Sequence, residues 1–422
     1  MNGNGLSFLE VIPALAIILA LAQLCGRCAA WMGQPKVVGE IVAGIMLGPT
    51  LLGWVLPDWE AALFTSQVKS FLDVFSQIGI VIYMFLVGIG IEHQSRDRTL
   101  LLQAGFLGLA GILPVFLIGG SAAFLLGDVI SPPHVSRFVF AFYMGTALSI
   151  TAFPVLARIL HDIGIVRTRI GNLVLTAASL NDAAAWLLLA LVLSISNTGG
   201  GKGIWVSAGG GVLFIFFVLF AARPLLQRWV RKIEAAGRLS QVDLAVVLLS
   251  LFSAAWFTDW IGLHALFGSF VLGAAMPQSP VLRKYLHSGL MDLVVFFFLP
   301  IYFTYSGLNT YLLGIFQTVM LIPSLVILSI AFFGKYTSCM LATRKLGFSW
   351  RESSSVGGLM NARGLMELLI ANIGFSNGII SQNVFSILVL MALATTVFAI
   401  PIYNLSLFSI KDKFYQTGQL DE

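Results

Sequence analysis

The run Ala177-Ala178-Ser179-Leu180-Asn181-Asp182-Ala183 sets a carboxylate beside an amide inside a long apolar segment. Asp162 and Arg169 mark the near end of that segment and Gly199 the far one, so Asp182 lies too deep to reach either end. An ionised Asp at the centre of a bilayer costs about 3 kcal/mol even on insertion scales, so it persists where it faces a protein interior or a wet cavity. A carboxylate in that position reads as an ion or proton site.

Two other apolar segments carry interruptions among polar residues. The first reads Ser149-Ile150-Thr151-Ala152-Phe153-Pro154. Pro154 has no N–H, and its ring disfavours the helical conformation at Phe153. The second runs from Gly357-Gly358 through Asn361-Ala362-Arg363-Gly364 to Glu367. The spacing predicts helix breaks at Pro154 and at Asn361 and Gly364. Two unwound segments that cross would bring half-helix ends together, and their partial charges hold ions or charged side chains. A proline kink and a glycine packing face are the plainer alternative. The coincidence of both breaks with buried polar residues favours unwinding.

Lys335 is a second deep charge, upstream of Arg344. It has two readings that the residues leave open: snorkelling to the interface, or a structural or proton-linked role beside Asp182 and Asn181. Arg363 and Glu367 have the i,i+4 spacing of an intrahelical pair. Glu40, Asp73 and Asp292 are expected nearer the membrane surfaces and are not assigned as ligands.

The elements that must position these groups follow from composition. Of 422 residues, 58% are hydrophobic and 10% charged, too little charge for the surface of a soluble domain. The apolar runs are continuous rather than alternating, so they read as helices and not barrel strands. The fold class is therefore all-α and polytopic, with about thirteen transmembrane spans near 8–27, 37–53, 69–91, 100–126, 137–160, 168–196, 203–222, 242–259, 262–277, 288–306, 312–342, 353–374 and 384–408. Residues 1–7 carry no Lys or Arg, so the first run is expected to be a retained helix rather than a signal peptide. The five His lack metal-ligand spacing, and Cys25, Cys28 and Cys339 make no disulfide framework; Cys25-Gly26-Arg27-Cys28 has redox-motif spacing but lies in a membrane helix and reads as small packing residues, so no cofactor is expected.

Basic residues set the orientation. Loops after odd-numbered spans hold clusters such as Arg158, Arg167 and Arg169, and Arg223, Arg228, Arg231, Lys232 and Arg238; the opposite loops hold Lys69, Arg137 and Lys202. The positive-inside rule then places the N-terminus outside and the C-terminus in the cytoplasm of a multi-pass protein of the cell membrane. The net charge of +5 is this topogenic charge and implies no nucleic acid. The stretch Arg223–Arg238 is expected to be a solvated cytoplasmic linker, with an anionic-lipid or partner site as the alternative.

Spans seven apart resemble each other. Gly39, Val42 and Gly44 before Pro49 are echoed by Gly268, Val271 and Gly273 before Pro277, and Asp73, Tyr83 and Gly88 by Asp292, Tyr302 and Gly307. An odd offset reverses orientation, so the chain is expected to hold two inverted six-helix repeats joined by a linker helix at 203–222. The repeat pairs spans 5 and 12, the two interrupted ones. Inverted repeats around a mid-membrane site are a transporter design.

The residues also resemble a known family, the monovalent cation:proton antiporters, and within it the branch of plant cation/proton exchangers and bacterial sodium or potassium antiporters. The resemblance is carried by Thr151-Ala152-Phe153-Pro154-Val155-Leu156-Ala157-Arg158, by Asn181-Asp182, by Gly262-Leu263-His264-Ala265-Leu266 and by Asn361-Ala362-Arg363-Gly364-Leu365-Met366-Glu367-Leu368. It implies a homodimer with a scaffold and dimerisation domain of 8–91 and 242–306, and an ion-carrying core of 100–196 and 312–408 that moves like an elevator. Residues 409–422 would form a short cytoplasmic tail. The resemblance makes Asp182 the group that binds Na+ or K+ and H+ in turn, places Thr151 and Asn181 beside it, matches Lys335 to the family's core lysine, and implies a part in pH homeostasis.

Two departures bear on mechanism. Electrogenic relatives carry Asp-Asp where this chain has Asn181-Asp182, which points to electroneutral one-for-one exchange, although Lys335 is retained. Some Asn-Asp relatives have an acidic residue and a Ser where Ala177 and Ala178 stand, so ligands from those positions are not carried over. A sodium-coupled symporter of an organic anion is the first rival reading, and a cation channel or ion-sensing receptor the second.

Overall fold

A computed structural model describes residues 8–90, 98–166, 168–196, 202–277 and 279–417, and every regular element among them is a helix. In chain order these are α1 (Phe8–Trp31), α2 (Lys36–Leu47), the short α3 (Leu52–Val55) and α4 (Pro57–Leu63), α5 (Ser66–Gly90), α6 (Arg98–Ile130), α7 (Arg137–Ser149), α8 (Phe153–Asp162) and α9 (Arg169–Ser196). They continue with α10 (Lys202–Phe217), α11 (Arg223–Ala236), α12 (Gln241–Trp260), α13 (Ala265–Ala275), α14 (Pro280–Leu286) and α15 (Leu299–Leu308). The last are α16 (Thr318–Ser329), α17 (Lys335–Lys345), α18 (Trp350–Leu359), α19 (Leu365–Ser376) and α20 (Gln382–Thr417).

Ten helices of 20 to 37 residues among the described ones are long and apolar enough to cross a membrane, and Ala265–Ala275 and Met366–Ser376 are shorter apolar helices. The all-helical, multi-pass expectation holds. The fifth and twelfth expected spans are each divided, into α7 and α8 and into α18 and α19, so their halves fall short of a full crossing.

Several boundaries differ from the expected ones, each for a local reason. The second expected span stops at Leu47, because Gly48 and Pro49 turn the chain, and Pro57 opens α4 from a position that needs no N–H. The tenth begins earlier, with α14 running through π-helical turns at His287–Met291 and Val294–Phe298 into α15. The basic stretch after residue 222 is not an open linker. A π-helical turn at Val218–Ala222 carries α10 straight into α11, whose Leu, Gln, Arg, Lys, Glu and Ala are good helix formers. It ends at Gly237, whose φ of 64° is the left-handed conformation that stops a helix. Likewise α20 continues through Lys411 and Lys413 to Thr417, so the residues expected as a tail from 409 are helical that far, and 418–422 lie outside the described residues.

Contacts divide the chain into two compact units: residues 1–23, 46–94 and 186–308, and residues 24–45, 95–185 and 309–422. In the first, Val11, Ala14 and Ile18 of α1 pack with Val68 and Leu72 of α5 and with Ile301 and Leu308 of α15. Glycines there let main chains touch. A Cβ on Gly88 of α5 would lie 2.6 Å from the Phe270 carbonyl of α13, and one on Gly48 would lie 2.6 Å from the Gly307 carbonyl of α15. In the second unit, α6 packs along α7, and α17, α18 and α20 pack together.

Such contacts leave no room for a methyl group. Gly273→Ala, whose Cβ would fall on the Phe85 carbonyl, is expected to destabilise the protein by about 1–3 kcal/mol through overpacking. Gly105→Ala, with nothing within 4 Å of the new Cβ, is expected to leave it unchanged or slightly more stable. Thermal unfolding in detergent compares the two.

Candidate functional site

The site grows from the end of α7. Ser136 caps its start by accepting from the Val139 N–H, and the helix stops at Ser149, with Ile150 extended (φ −80°, ψ 146°). Stopping a helix inside a protein orphans its last carbonyls. Here two cations take them. Lys335 Nζ donates to the Ser149 carbonyl at 2.5 Å. Arg363 Nη2 donates to Leu148 O at 2.5 Å, and Arg363 Nη1 to Ala147 O at 3.3 Å. Positive charge at a helix C-terminus also answers the negative end of the helix dipole.

The other side of the break is the start of α8. Pro154 is its second residue, where a missing N–H leaves no helical bond unmade. The Phe153 N–H at that terminus points at Asp182 Oδ1, 3.5 Å away. A carboxylate facing a helix N-terminus meets oriented N–H groups and the positive end of a dipole.

The second interruption crosses the first. Between α18 and α19 the chain unwinds over residues 360–364, where Gly364 adopts φ 155°, ψ −112°. An L side chain is strained there, and its Cβ would come 2.8 Å from Val155 Cγ2. The two breaks are joined by main chain: the Ala152 N–H donates to the Ala362 carbonyl at 3.3 Å. Thr151 Oγ1 donates to Met360 O at 3.2 Å, and Asn361 Nδ2 to Phe332 O at 3.2 Å. Arg363 completes its contacts with Glu367 Oε2 at 2.8 Å and Ala331 O at 3.2 Å. One hydroxyl braces the unwound strand from both sides: Thr396 Oγ1 accepts from the Arg363 N–H at 3.0 Å and donates to the Arg363 carbonyl at 2.6 Å.

Asp182, Asn181, Thr151, Lys335, Asn361, Arg363 and Glu367 are all buried, with Asp182 only 2% exposed. Asn181 Nδ2 lies 3.5 Å from Thr151 Oγ1. Lys335 is buried against the Ser149 carbonyl and does not run to a surface, which removes the snorkelling alternative. The cluster balances two carboxylates, Asp182 and Glu367, with two cations, Lys335 and Arg363. Asp73 and Asp292 take no part in it; Asp73 accepts from Gln77 within α5. Glu40 is buried in α2.

Residues that sequence reasoning passed over complete the site. Thr396 is one; its signal was a hydroxyl pair, Thr395-Thr396, inside an apolar run. Gly108 and Gly111 of α6 are others. A Cβ on Gly108 would stand 2.8 Å from Asn181 Oδ1, and one on Gly111 would stand 3.9 Å from Lys335 Cε and 3.1 Å from Cys339 Sγ. Their absence of side chains makes the space that Asn181 and Lys335 occupy. The main-chain acceptors Ala147, Leu148 and Ser149 carried no signal of their own.

Among the described residues there is no group of three or more His, Cys, Asp or Glu that could hold a metal ion. The side-chain oxygens at the break are the Asp182 carboxylate, facing the Phe153 N–H, and the Thr151 hydroxyl, reached by Asn181 Nδ2. Such hard oxygens suit a weakly held alkali cation, and the carboxylate can equally hold a proton.

The chain matches, over residues 15–403, the protein family described as "Sodium/hydrogen exchanger, transmembrane". It is 36% identical over 397 residues to the Na(+)/H(+) antiporter NhaS4 of Synechocystis sp., covering 94% of this chain and 97% of that protein. Cation/H(+) antiporter 17 of Arabidopsis thaliana is 35% identical over 93% of this chain and 48% of its own length. The K(+)/H(+) antiporter 1 of Saccharomyces cerevisiae is 30% identical over 92% and 45%. The chain thus spans about half the length of those plant and yeast relatives. Its fold is similar to that of the sodium proton antiporter MjNhaP1 from Methanocaldococcus jannaschii, with a TM-score of 0.65, 17% identity and coverage of 94% and 98%.

The bracing hydroxyl offers a test of the architecture. Thr396→Val keeps the shape but orphans the buried N–H and C=O of Arg363, and is expected to lower stability by about 1–3 kcal/mol. Thr396→Ser keeps the hydroxyl and is expected to recover most of it. Thermal unfolding of both variants decides.

Proposed function

This chain belongs to the sodium/hydrogen exchanger family, and we propose that it exchanges Na+ or K+ for H+ with Asp182 as the shared binding group. Membership makes it a multi-pass membrane protein and a secondary antiporter of monovalent cations and protons. It is not an enzyme, and the ions it moves are Na+ or K+ and H+. Relatives are named for Na+ exchange, for K+ exchange and for both, so the cation is proposed at the level of Na+ or K+.

The observation that carries the assignment is the buried Asp182 carboxylate facing the N-terminus of α8, with Asn181 and Thr151 beside it. A bare carboxylate is costly to move through a low-dielectric interior, whereas one carrying a cation or a proton is neutral. Coupling follows if the loaded site crosses and the empty ionised site does not. Asn181 orients Thr151 and does not titrate, which supports one proton for one cation and an electroneutral cycle. Lys335 and Arg363 are bound to the end of α7, which supports a role as fixed counter-charges rather than proton carriers. Glu367 pairs with Arg363 and supports the crossing.

In this reading, 100–196 and 312–408 form a core that carries Asp182 between the two sides by an elevator-like movement. Residues 8–91 and 242–306 form the scaffold and the homodimer contact, and 203–222 links the repeats. The N-terminus faces outward and the C-terminus the cytoplasm.

Reconstitution in proteoliposomes tests the site. Asp182→Asn is expected to reduce cation-dependent proton movement to background while the protein still folds; wild-type rates from that variant would sink the assignment. Where protonation dominates, competition at one group raises the apparent KM for the cation about tenfold per unit fall in pH. Clamping the membrane potential at different values is expected to leave the wild-type rate unchanged, and a rate that tracks the potential would exclude electroneutral exchange.

A further inference from the structure

One feature lies outside the ion site and is unused by the exchange. The helical stretch from α10 through α11, Lys202–Ala236, has 35 residues, about 52 Å at 1.5 Å per residue, against a hydrocarbon core of about 30 Å. The excess, about 22 Å at that rise, cannot all lie among acyl chains. Lys202 is the one charge in α10, whereas α11 holds Arg223, Arg228, Arg231 and Lys232. The α11 end is therefore the strongly charged one.

That end is built into the fold and not left free. Val230 and Ile233 of α11 are buried, and α11 packs against α14, which buries Leu282 and Leu286. Trp229 is anchored as well, its indole N–H donating to Asp243 Oδ1 at 3.1 Å. With the apolar faces spent on each other, the basic side chains are left outward: Arg228, Arg231 and Lys232 on α11, Arg283 and Lys284 on α14 are all exposed. Within the two helices Glu234 is the one acidic residue, and no salt bridge engages Arg228, Arg231, Lys232 or Lys284 among the described residues. Like charges held together by packing repel unless a counter-charge is supplied. Leu225, 64% exposed beside them, adds an apolar contact suited to acyl chains.

We propose that α11 and α14 form one binding surface for the phosphate groups of anionic phospholipids in the adjacent leaflet, held by Arg228, Arg231, Lys232 and Lys284. The occupant is a lipid and not a soluble anion because the surface is continuous with a membrane-crossing helix that is longer than the hydrocarbon core is thick. Basic side chains near an anionic bilayer surface gain about fivefold in association per residue, and clustering of four on two packed helices makes the gain selective for a charged headgroup.

The full chain, purified in neutral detergent, tests this through its thermal midpoint. Titration with phosphatidylglycerol is expected to raise the midpoint with saturation, while phosphatidylcholine and inorganic phosphate do not. The double variant Arg228→Gln/Lys232→Gln is expected to weaken the apparent phosphatidylglycerol affinity by ten- to thirtyfold at an unchanged midpoint in phosphatidylcholine. Arg228→Lys is expected to retain it. Should the double variant fold poorly, the wild type still decides: its phosphatidylglycerol response must fall as salt rises from 50 to 500 mM. Equal responses to the two lipids, an equal response to inorganic phosphate, an undiminished response in the folded double variant, or salt independence would each overturn the proposal.

Discussion

Three main-chain carbonyls at the end of α7 have no partner in their own helix, and the organisation of the second unit follows from satisfying them in a dry interior. A buried carbonyl left unpaired costs about 1–3 kcal/mol. Neutral donors would meet that need, but two cations are used, Lys335 on Ser149 and Arg363 on Ala147 and Leu148. Each cation brings its own desolvation cost. Glu367 offsets one within hydrogen-bonding distance of Arg363. Arg363 can reach α7 only because α18 stops short and the chain unwinds to Gly364. One interruption thus requires the other.

The same break has opposite polarity on its two sides. The end of α7 presents carbonyl oxygens and gathers cations; the start of α8 presents the Phe153 N–H and faces a carboxylate. A continuous helix would cancel these partial charges by stacking its dipoles through the centre. Breaking it exposes both poles within a few residues. Asp182 therefore stands at the positive pole in a setting that contains its own negative pole and the cations that neutralise it. Thr151, between the poles, donates its hydroxyl to the Met360 carbonyl and is reached by Asn181.

Much of this could be read in the residues, and what could not has a physical cause. Asp182 was legible because a charge in an apolar run is expensive wherever it lies. The breaks were legible because Pro154 and Gly364 act on their own backbone, whatever surrounds them. Lys335 was not resolved, since the same flexible side chain reaches a surface or an interior carbonyl and only the packing of α6 and α7 selects between them. Ser149 carries no signal in the sequence, because the atom that matters is its carbonyl, which every residue has. Gly108 and Gly111 looked like ordinary small residues of a membrane helix, their meaning set by Asn181 and Lys335 across the interface. The continuation of α10 into α11 was missed for another reason. Hydropathy falls at Arg223 while helix propensity does not, and propensity decides where the helix ends.

The bond between the Ala152 N–H and the Ala362 carbonyl has a bearing on how such a protein changes over generations. It uses atoms that no substitution short of proline at 152 removes, so the crossing does not depend on which side chains stand at those two positions. A lineage can then exchange the hydroxyl at 151 or the amide at 181 for other oxygens, one at a time, without first dismantling the junction that holds them. Variation at the side chains and constancy of architecture become compatible, because the frame of the crossing is written in the backbone and the side chains hang on it.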